Sequence, residues 1–576
     1  MSRSKVFWVC TLAVLAMACN NHNETEIASY HVQVSAQIGD VARTTIRDDA
    51  AARRAEILWA EGDQIGVVAT SNRAISTLDL TSGAGSRSAT FEGEILTSNE
   101  LAESYLAFYP NQQSATIDNG RLRLTLPTEQ RNGADGIDGA ACGFMLSRAS
   151  GTVDALSFAF ENLFAVLKLS LTGRGEQLAR IEFSGGAGEL VSGDFEVDWT
   201  NELAIEFCDV ATTRTHLQSN QILGTDPAPL YVVVPAITYS KGYSVRVTTA
   251  DGRTMVRTVG RNSGRELQRG VIYNLPTLEF DSEAIDLSLG GRANCYVVSE
   301  AGRYCFDSGL TDGVVAEMIW EDSEGLISEG ALTSDGYVTF DATALRGNAL
   351  LALRNSEGAI IGSWHIWATE APKAQIYSDG TVALDRNLGA KSPTDIGLYY
   401  QWGRSAPFTS TPEELGEGTL TDGVGSPQKF LTNWSDVARS ADLWGNGTQS
   451  AYSKEQGVKS AADPCPAGWR VAPPIFYQHI AGLLKKSEAG GYEISLDEDV
   501  AYYPPTNRLT TSGILSGNAY LFLWSNSNYV NATSTTLYGT YFQFTANTNN
   551  NSSFAGSGKR LNANKTYGMN VRCVAE

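Results

Sequence analysis

Apolar and polar residues alternate with period two in HVQVSAQI (His31 to Ile38), QIGVVA (Gln64 to Ala69), YLAFYP (Tyr105 to Pro110) and RLRLTLP (Arg121 to Pro127). Broken by Gly, Asn and Pro turns, this pattern predicts half-buried antiparallel strands and a β-sandwich over residues 30–159. A second set, LSFAFENLFAVLKLSL (Leu156 to Leu171), LYVVVPA (Leu230 to Ala236), YSVRVTT (Tyr243 to Thr249) and VIYNLPTLEF (Val271 to Phe280), predicts another sandwich over 160–282. Five shorter runs follow: ANCYVVSEAGRYCF (Ala293 to Phe306), VVAEMIW (Val314 to Trp320), GYVTFDA (Gly336 to Ala342), ALLALRN (Ala349 to Asn355) and GSWHIWAT (Gly362 to Thr369). They predict a small β-sandwich over 283–372. From 373 to 576 the texture changes: Trp, Tyr, Asn and Gly rise, and a helix-like piece, FYQHIAGLLKK (Phe476 to Lys486), stands among strands and long loops, an α+β pattern.

Composition narrows the function. The 576 residues carry 43 basic and 64 acidic side chains, a formal charge of -21, and no Lys/Arg-dense run. Nucleic acid is therefore not an expected partner, because its binding needs phosphate neutralisation. Five histidines, at 22, 31, 216, 365 and 479, are too scattered to suggest a metal centre, and neither metal nor cofactor is expected.

The start of the chain reads as an address. Arg3 and Lys5 precede a short apolar stretch from Val6 to Ala18, and LAMAC (Leu15 to Cys19) resembles a bacterial lipobox. The expectation is a lipoprotein signal over 1–18, lipidation of Cys19, and a polar tether over 19–29, so that the precursor is anchored to a membrane without spanning it. Export permits disulfides. Cys295 and Cys305 flank two short β-runs and suggest a cross-strand bridge. Cys465 and Cys573, near the two ends of the last segment, suggest another, with Cys142 and Cys208 left over.

Other residues invite chemistry. Trp364 and Trp367 around His365 could stack on sugars, although on a strand such alternation more often means core packing plus one exposed face. Asp385 and Arg386 could form a buried ion pair that positions the turn at Asn387. Catalysis is not expected, because candidate acid, base and nucleophile groups are few.

Several of these motifs, in order, resemble the fimbrillin-type lipoproteins of Bacteroidales: WAEGDQIGV (Trp59 to Val67), FEGEI (Phe91 to Ile95), YLAFYP, LPTEQ (Leu126 to Gln130), FAVLKLSL, and GRELQRGVIYNL (Gly264 to Leu275). The resemblance covers about residues 30–280 and implies two tandem transthyretin-like β-sandwiches. It also implies surface processing by an arginine-specific protease, and assembly with other pilin subunits by donor-strand addition once the first strand is lost. HVQVSAQI is then the removable strand, and Arg43, Arg47, Arg53 and Arg54 are the candidate cleavage sites, with Arg43 favoured by its place directly after it.

The last segment resembles the Fibrobacter succinogenes major paralogous domain in DGTVALDRNLGA (Asp379 to Ala390), GLYYQWGRSAPF (Gly397 to Phe408), DPCPAGWRVAPP (Asp463 to Pro474), LFLWSNS (Leu521 to Ser527) and MNVRCVAE (Met569 to Glu576). That resemblance implies a C-type-lectin-like fold whose ends meet on one small sheet, which suits a Cys465 to Cys573 bridge. The acidic calcium loop of C-type lectins is missing, so calcium-dependent sugar binding is not expected. Loops rich in Tyr, Trp, Asn and Ser offer Tyr502, Tyr503, Trp524, Asn526 and Asn528 as weak candidates for contact with a host or bacterial glycan or protein. Together these readings describe a non-enzymatic fimbrial subunit at the bacterial surface, tip or accessory, presenting an adhesive last domain. The alternative is a glycan-binding surface lipoprotein that does not polymerise.

Overall fold

Residues 28–39, 46–49, 54–70, 73–97, 103–133, 136–199, 204–208, 210–261, 263–310, 312–434, 443–445, 458–517, 520–529, 538–545, 553–554 and 561–576 are described by the computed structural model. The chain is mainly β.

The alternating runs of the first segment close into a ring. The strands are β1 (Ala28–Ile38), β4 (Gln64–Ala69), β5 (Ile75–Ser82), β6 (Ser88–Thr97), β7 (Glu103–Tyr109), β8 (Met145–Gly151) and β9 (Ser157–Asn162). A small hairpin of β2 (Ile46–Asp49) and β3 (Arg54–Ile57) stands between β1 and β4. The barrel order is β1-β9-β8-β7-β4-β5-β6, with β6 returning to β1. Period two puts Tyr105, Ala107 and Tyr109 of β7 inside the barrel, while Leu106 and Phe108 point outwards. The outward residues are buried as well, because they meet Leu122, Leu124, Phe164, Val166 and Phe195. YLAFYP is thus covered on both faces rather than half-buried.

Ladders cross the seam expected at residues 159 and 160. Strand Arg121–Leu126 pairs with Gly193–Asp198, and Glu129–Gly133 pairs with Arg214–Gln218. The second unit is a sandwich in which Phe164–Thr172 and Ala228–Pro235 face Leu178–Gly185 and Tyr243–Thr249 across a core including Leu167, Phe183, Val232 and Val245.

Its larger sheet runs on without interruption into the third unit. Arg253 pairs with Ile285, Ile285 with Tyr304, and Cys305 with Thr339, giving ten strands in one sheet. A buried charge network bolts this junction: Arg180 to Asp286 at 2.8 Å, Arg214 to Asp307 at 2.6 Å and Arg246 to Asp335 at 2.8 Å. The Arg246 guanidinium also lies 3.6 Å from the Tyr337 ring centroid. Burial raises the pKa of Glu182 within this network, against the pull of Arg214 and Arg180.

The third and fourth units share a core in which Cys295 and Trp367 pack with Leu388, Tyr400, Trp402 and Trp524. Trp364 and Ile366 face the core of the third unit, so the strand through WHIW is covered on both sides and the exposed face expected of it is the seam. His365 is 1 % exposed, contacts Tyr400 Oη through Nδ1 at 3.1 Å and Asn348 Oδ1 through Nε2 at 2.9 Å, and burial lowers its pKa to about 3. Arg386 pairs with Asp385 at 2.8 Å and donates to Thr369 Oγ1 and to the carbonyl of Lys391.

In the fourth unit the two ends meet on one sheet, ordered Ala374–Ile376, Val382–Leu384, Cys573–Ala575, Trp469–Val471. Cys465 and Cys573 are joined by a disulfide that spans 108 residues. Asp463 accepts from the backbone N–H groups of Cys465 and Val471 at 2.8 and 2.9 Å, which fixes the DPCPAGWRV loop. The helix predicted in FYQHIAGLLKK starts at Pro474, suited to a first turn, and ends at Ala481 before Gly482.

Candidate functional site

β1 is the stave that lies between β6 and β9 in the closed first barrel. Val32, Val34, Ala36 and Ile38 are 5, 1, 2 and 0 % exposed, while His31, Gln33, Ser35 and Gln37 face solvent. Burying a Val or Ile side chain is worth roughly 1.5–3 kcal/mol, so these contacts are the main hold on the strand. The two edges are unequal. Along β6 the antiparallel register runs from Ala28 opposite Thr97 to Gln37 opposite Ser88; along β9 the parallel register is limited to Ser35–Ser157 through Ile38–Phe160. β6 therefore holds β1 along most of its length and β9 only at its end.

Below the strand sits an aromatic floor. Trp59 meets Phe91, Tyr109 and Phe160 edge-on at 4.9, 5.6 and 5.5 Å between ring centroids. Two motifs far apart in sequence meet here: Tyr109 donates its hydroxyl to Asp63 at 2.8 Å, and Asp63 also accepts from the Ala60 N–H at 2.7 Å. Burial raises the Asp63 pKa.

The solvent face carries a polar clasp. Ser29 donates to Glu94 at 2.5 Å and Ser35 to Ser157 at 2.8 Å. His31 reaches Glu92 at 2.7 Å and Glu94 at 3.3 Å, and the hydrogen bond to Glu92 raises the imidazole pKa. Ile38 ends the strand with its N–H on the Arg87 carbonyl at 2.9 Å and its carbonyl accepting from the Arg87 guanidinium at 3.1 Å.

Of the cleavage candidates, Arg47 is opposite Glu56 and Arg54 opposite Asp49 in the ladder between β2 and β3. Arg43, Arg53 and the lipidation candidate Cys19 lie outside the described residues, as do the signal segment 1–18 and positions 20–27 of the tether.

The proposed ligand contacts of the last unit belong to its interior. Tyr503 and Trp524 are fully buried, and Asn526 and Asn528 are each 3 % exposed. Tyr503 Oη lies 2.6 Å from Tyr377 Oη, and Trp524 Nε1 donates to the Tyr400 carbonyl at 2.8 Å. Tyr502 is half-buried, its carbonyl accepting from Arg572 at 3.0 Å. Strand Leu521–Tyr529 is a core strand and not a loop, so its Trp and Asn side chains pack where solvent-facing contacts had been expected.

The Cys295 to Cys305 bridge is also corrected. Cys295 lies on Cys295–Val298, paired with Ile360–Ala368, whereas Cys305 lies on Gly302–Asp307 in the opposite sheet. Both thiols are free and buried; Cys142 and Cys208 are free too. Burial pushes the thiols of Cys142 and Cys305 up to about 12. Among the described residues no cluster of His, Cys, Asp and Glu could hold a metal ion.

Comparison with protein-family models and with curated proteins finds no match. Among solved structures, a candidate cell adhesion protein of Bacteroides ovatus is similar at 15 % identity and a TM-score of 0.31, over 44 % of this chain and 93 % of that one. One of Bacteroides uniformis is similar at 13 % identity and a TM-score of 0.29, over 43 % and 93 %. The C-terminally truncated tip fimbrial protein Mfa3 of Porphyromonas gingivalis is similar at 13 % identity and a TM-score of 0.22, over 40 % and 82 %.

Proposed function

We propose that this chain is a non-enzymatic surface adhesion subunit of a fimbria, exported as a lipoprotein through Cys19, whose first strand is a temporary stave that another subunit's strand replaces. The observation that carries the reading is β1 itself: a segment near the start of the chain that supplies four alternating side chains to a closed core. Its removal would free both the apolar channel over Trp59, Phe91 and Phe160 and the backbone edge of β6, and an incoming extended segment would satisfy both at once.

A strand caught in a ladder must unpair before a protease can thread it, which disfavours Arg47 and Arg54 and keeps Arg43 as the preferred cut. The other end of the chain is a poor donor. Strand Cys573–Ala575 lies inside its sheet, Cys573 is held by the disulfide and Arg572 is fully buried. A last segment with no free strand supports a tip or accessory place for the subunit.

The test is to treat the full chain with an Arg-specific protease in the presence of a pilin donor-strand peptide. A stable stoichiometric complex is expected; a cut chain that keeps β1 and takes up no peptide contradicts it. One observation favours the second reading, a glycan-binding surface lipoprotein that does not polymerise: the uncut barrel is already closed by its own strand and needs no partner. That reading expects no complex under the same conditions.

A further inference from the structure

A cavity of about 820 Å³ opens at the seam of the third and fourth units. Its walls come from the strand Ile360–Ala368, the segments around Arg292, Asp307 and Lys459, the loop 403–406, the helix Leu420–Gly425 and Glu576. This volume lies within the range of small-molecule sites, and a seam between units is a common place for one.

The charge in its wall is unusual. Arg404 is 4 % exposed, and no carboxylate among the described residues pairs with it. Its guanidinium is held only by neutral acceptors: Gln401 Oε1 at 2.8 Å and the carbonyls of Lys429 at 2.7 Å, Gly423 at 2.8 Å, Pro427 at 3.2 Å and Ser426 at 3.5 Å. Its Nε–H donates to none of them. Burial alone lowers the Arg404 pKa to about 9, so the side chain still carries its charge at neutral pH. A buried charge without a counter-ion is costly, and an anion in the adjoining space would offset that cost. By contrast, Lys459 on the same wall is matched by Asp463 at 3.5 Å, and Asp307 is taken by Arg214 at 2.6 Å.

A second carboxylate residue, Glu576, also lines the cavity, and the neutral polar groups there suit hydroxyls. Trp364 is 6 % exposed and lines the cavity, yet its indole N–H finds no acceptor among the described residues; its neighbour Trp367 donates to the Ala390 carbonyl at 3.0 Å. Ser363 and Ser405 line the same space, and their hydroxyls have no side-chain partner among the described residues. At the mouth, Arg292 is 63 % exposed and only 3.8 Å from the nearest Asp307 oxygen, so its fork can turn to a ligand.

We propose that this cleft binds an acidic oligosaccharide, a carboxylate meeting Arg292 under the field of Arg404, and sugar hydroxyls meeting Trp364, Ser363 and Ser405. The proposal does not depend on strand exchange, so either can fail without the other. The test is calorimetric titration of the full chain with trigalacturonate, with maltotriose as the neutral sugar and triglutamate as the acidic peptide. Trigalacturonate is expected to bind, maltotriose to bind at least about tenfold more weakly, and triglutamate to give no saturable heat. Arg292→Glu at the exposed mouth should weaken binding about tenfold or more, and Ser405→Trp should block it by filling the space. Melting temperatures of both variants verify that they fold; should either fail to, Arg292→Gln, a milder change at the same exposed position, replaces it. No binding of trigalacturonate, equal binding of either control, or unchanged binding by the folded variants overturns the proposal.

Discussion

Val34 of β1 lies directly opposite Phe91 of β6, within the antiparallel ladder that joins the two strands in the first barrel. Both are buried, Val34 at 1 % and Phe91 at 0 % exposure, so the pair holds β1 to β6 from the core side. Val34→Asp would bury a carboxylate without a partner among the apolar residues of the barrel core. The expected outcome is a β1 that no longer stays in the slot: a melting transition of the first unit lowered by several degrees, and cleavage near Gly39 at protease concentrations that leave the parent chain intact. Gln33→Ser, one residue away on the solvent face, should leave both nearly unchanged.

His31 makes the hold on β1 depend on pH. Its pKa is raised, first by the hydrogen bond to Glu92, so the clasp is fully present below the unfolded value near 6.5 and is lost as pH rises through the folded value. Amide exchange of β1, corrected for intrinsic rates, should therefore be slower at pH 6 than at pH 8. His31→Gln should flatten that difference. A parent chain with equal protection at both pH values would contradict the clasp.

Breaking the buried pair between Arg246 and Asp335 should uncouple the second and third units. Asp335→Ala leaves Arg246 charged and buried, and removal of one partner of such a pair typically costs about 3–5 kcal/mol. Two calorimetric transitions are expected where the parent chain gives a merged one, because the ten-stranded sheet crosses this junction. The double variant Arg246→Met with Asp335→Leu should recover much of the loss.

Reducing the disulfide should act on the last unit alone. Closing a loop of this length stabilises by roughly 4–5 kcal/mol in the chain-entropy estimate. The paired change of Cys465 and Cys573 to Ser should lower the last transition and leave the first barrel's melting unmoved. In the same chain Cys295 and Cys305 should resist an aromatic disulfide reagent at pH 8 until denaturant is added, since both thiols are buried and held protonated.

The strands of the first three segments were legible because period-two alternation is written locally. HVQVSAQI, for example, places Val32, Val34, Ala36 and Ile38 inwards as its pattern requires. What the pattern does not carry is which surface covers the other face. YLAFYP is doubly buried because Leu122, Phe164 and Phe195 arrive from elsewhere in the chain. Cys295 and Cys305 looked like hairpin partners, but their strands diverge into facing sheets, and ten residues of separation do not distinguish the two outcomes. Trp524 and Asn526 read as loop residues because Asn and Ser interrupt the apolar run, whereas the strand is buried by elements from both ends of the last unit. The cavity beside Arg404 was not legible at all, since its walls come from seven separate stretches and its signal is a missing counter-ion.

The exchangeability of β1 can be measured directly by mixing Arg-protease-treated full chain labelled with ¹⁵N and the same material unlabelled, then weighing the intact complexes by native mass spectrometry. If the first strand is a replaceable stave, species of mixed mass will accumulate, each a labelled body holding an unlabelled β1 segment or the reverse. If β1 is a permanent part of the barrel, the two parental masses will persist without crossover.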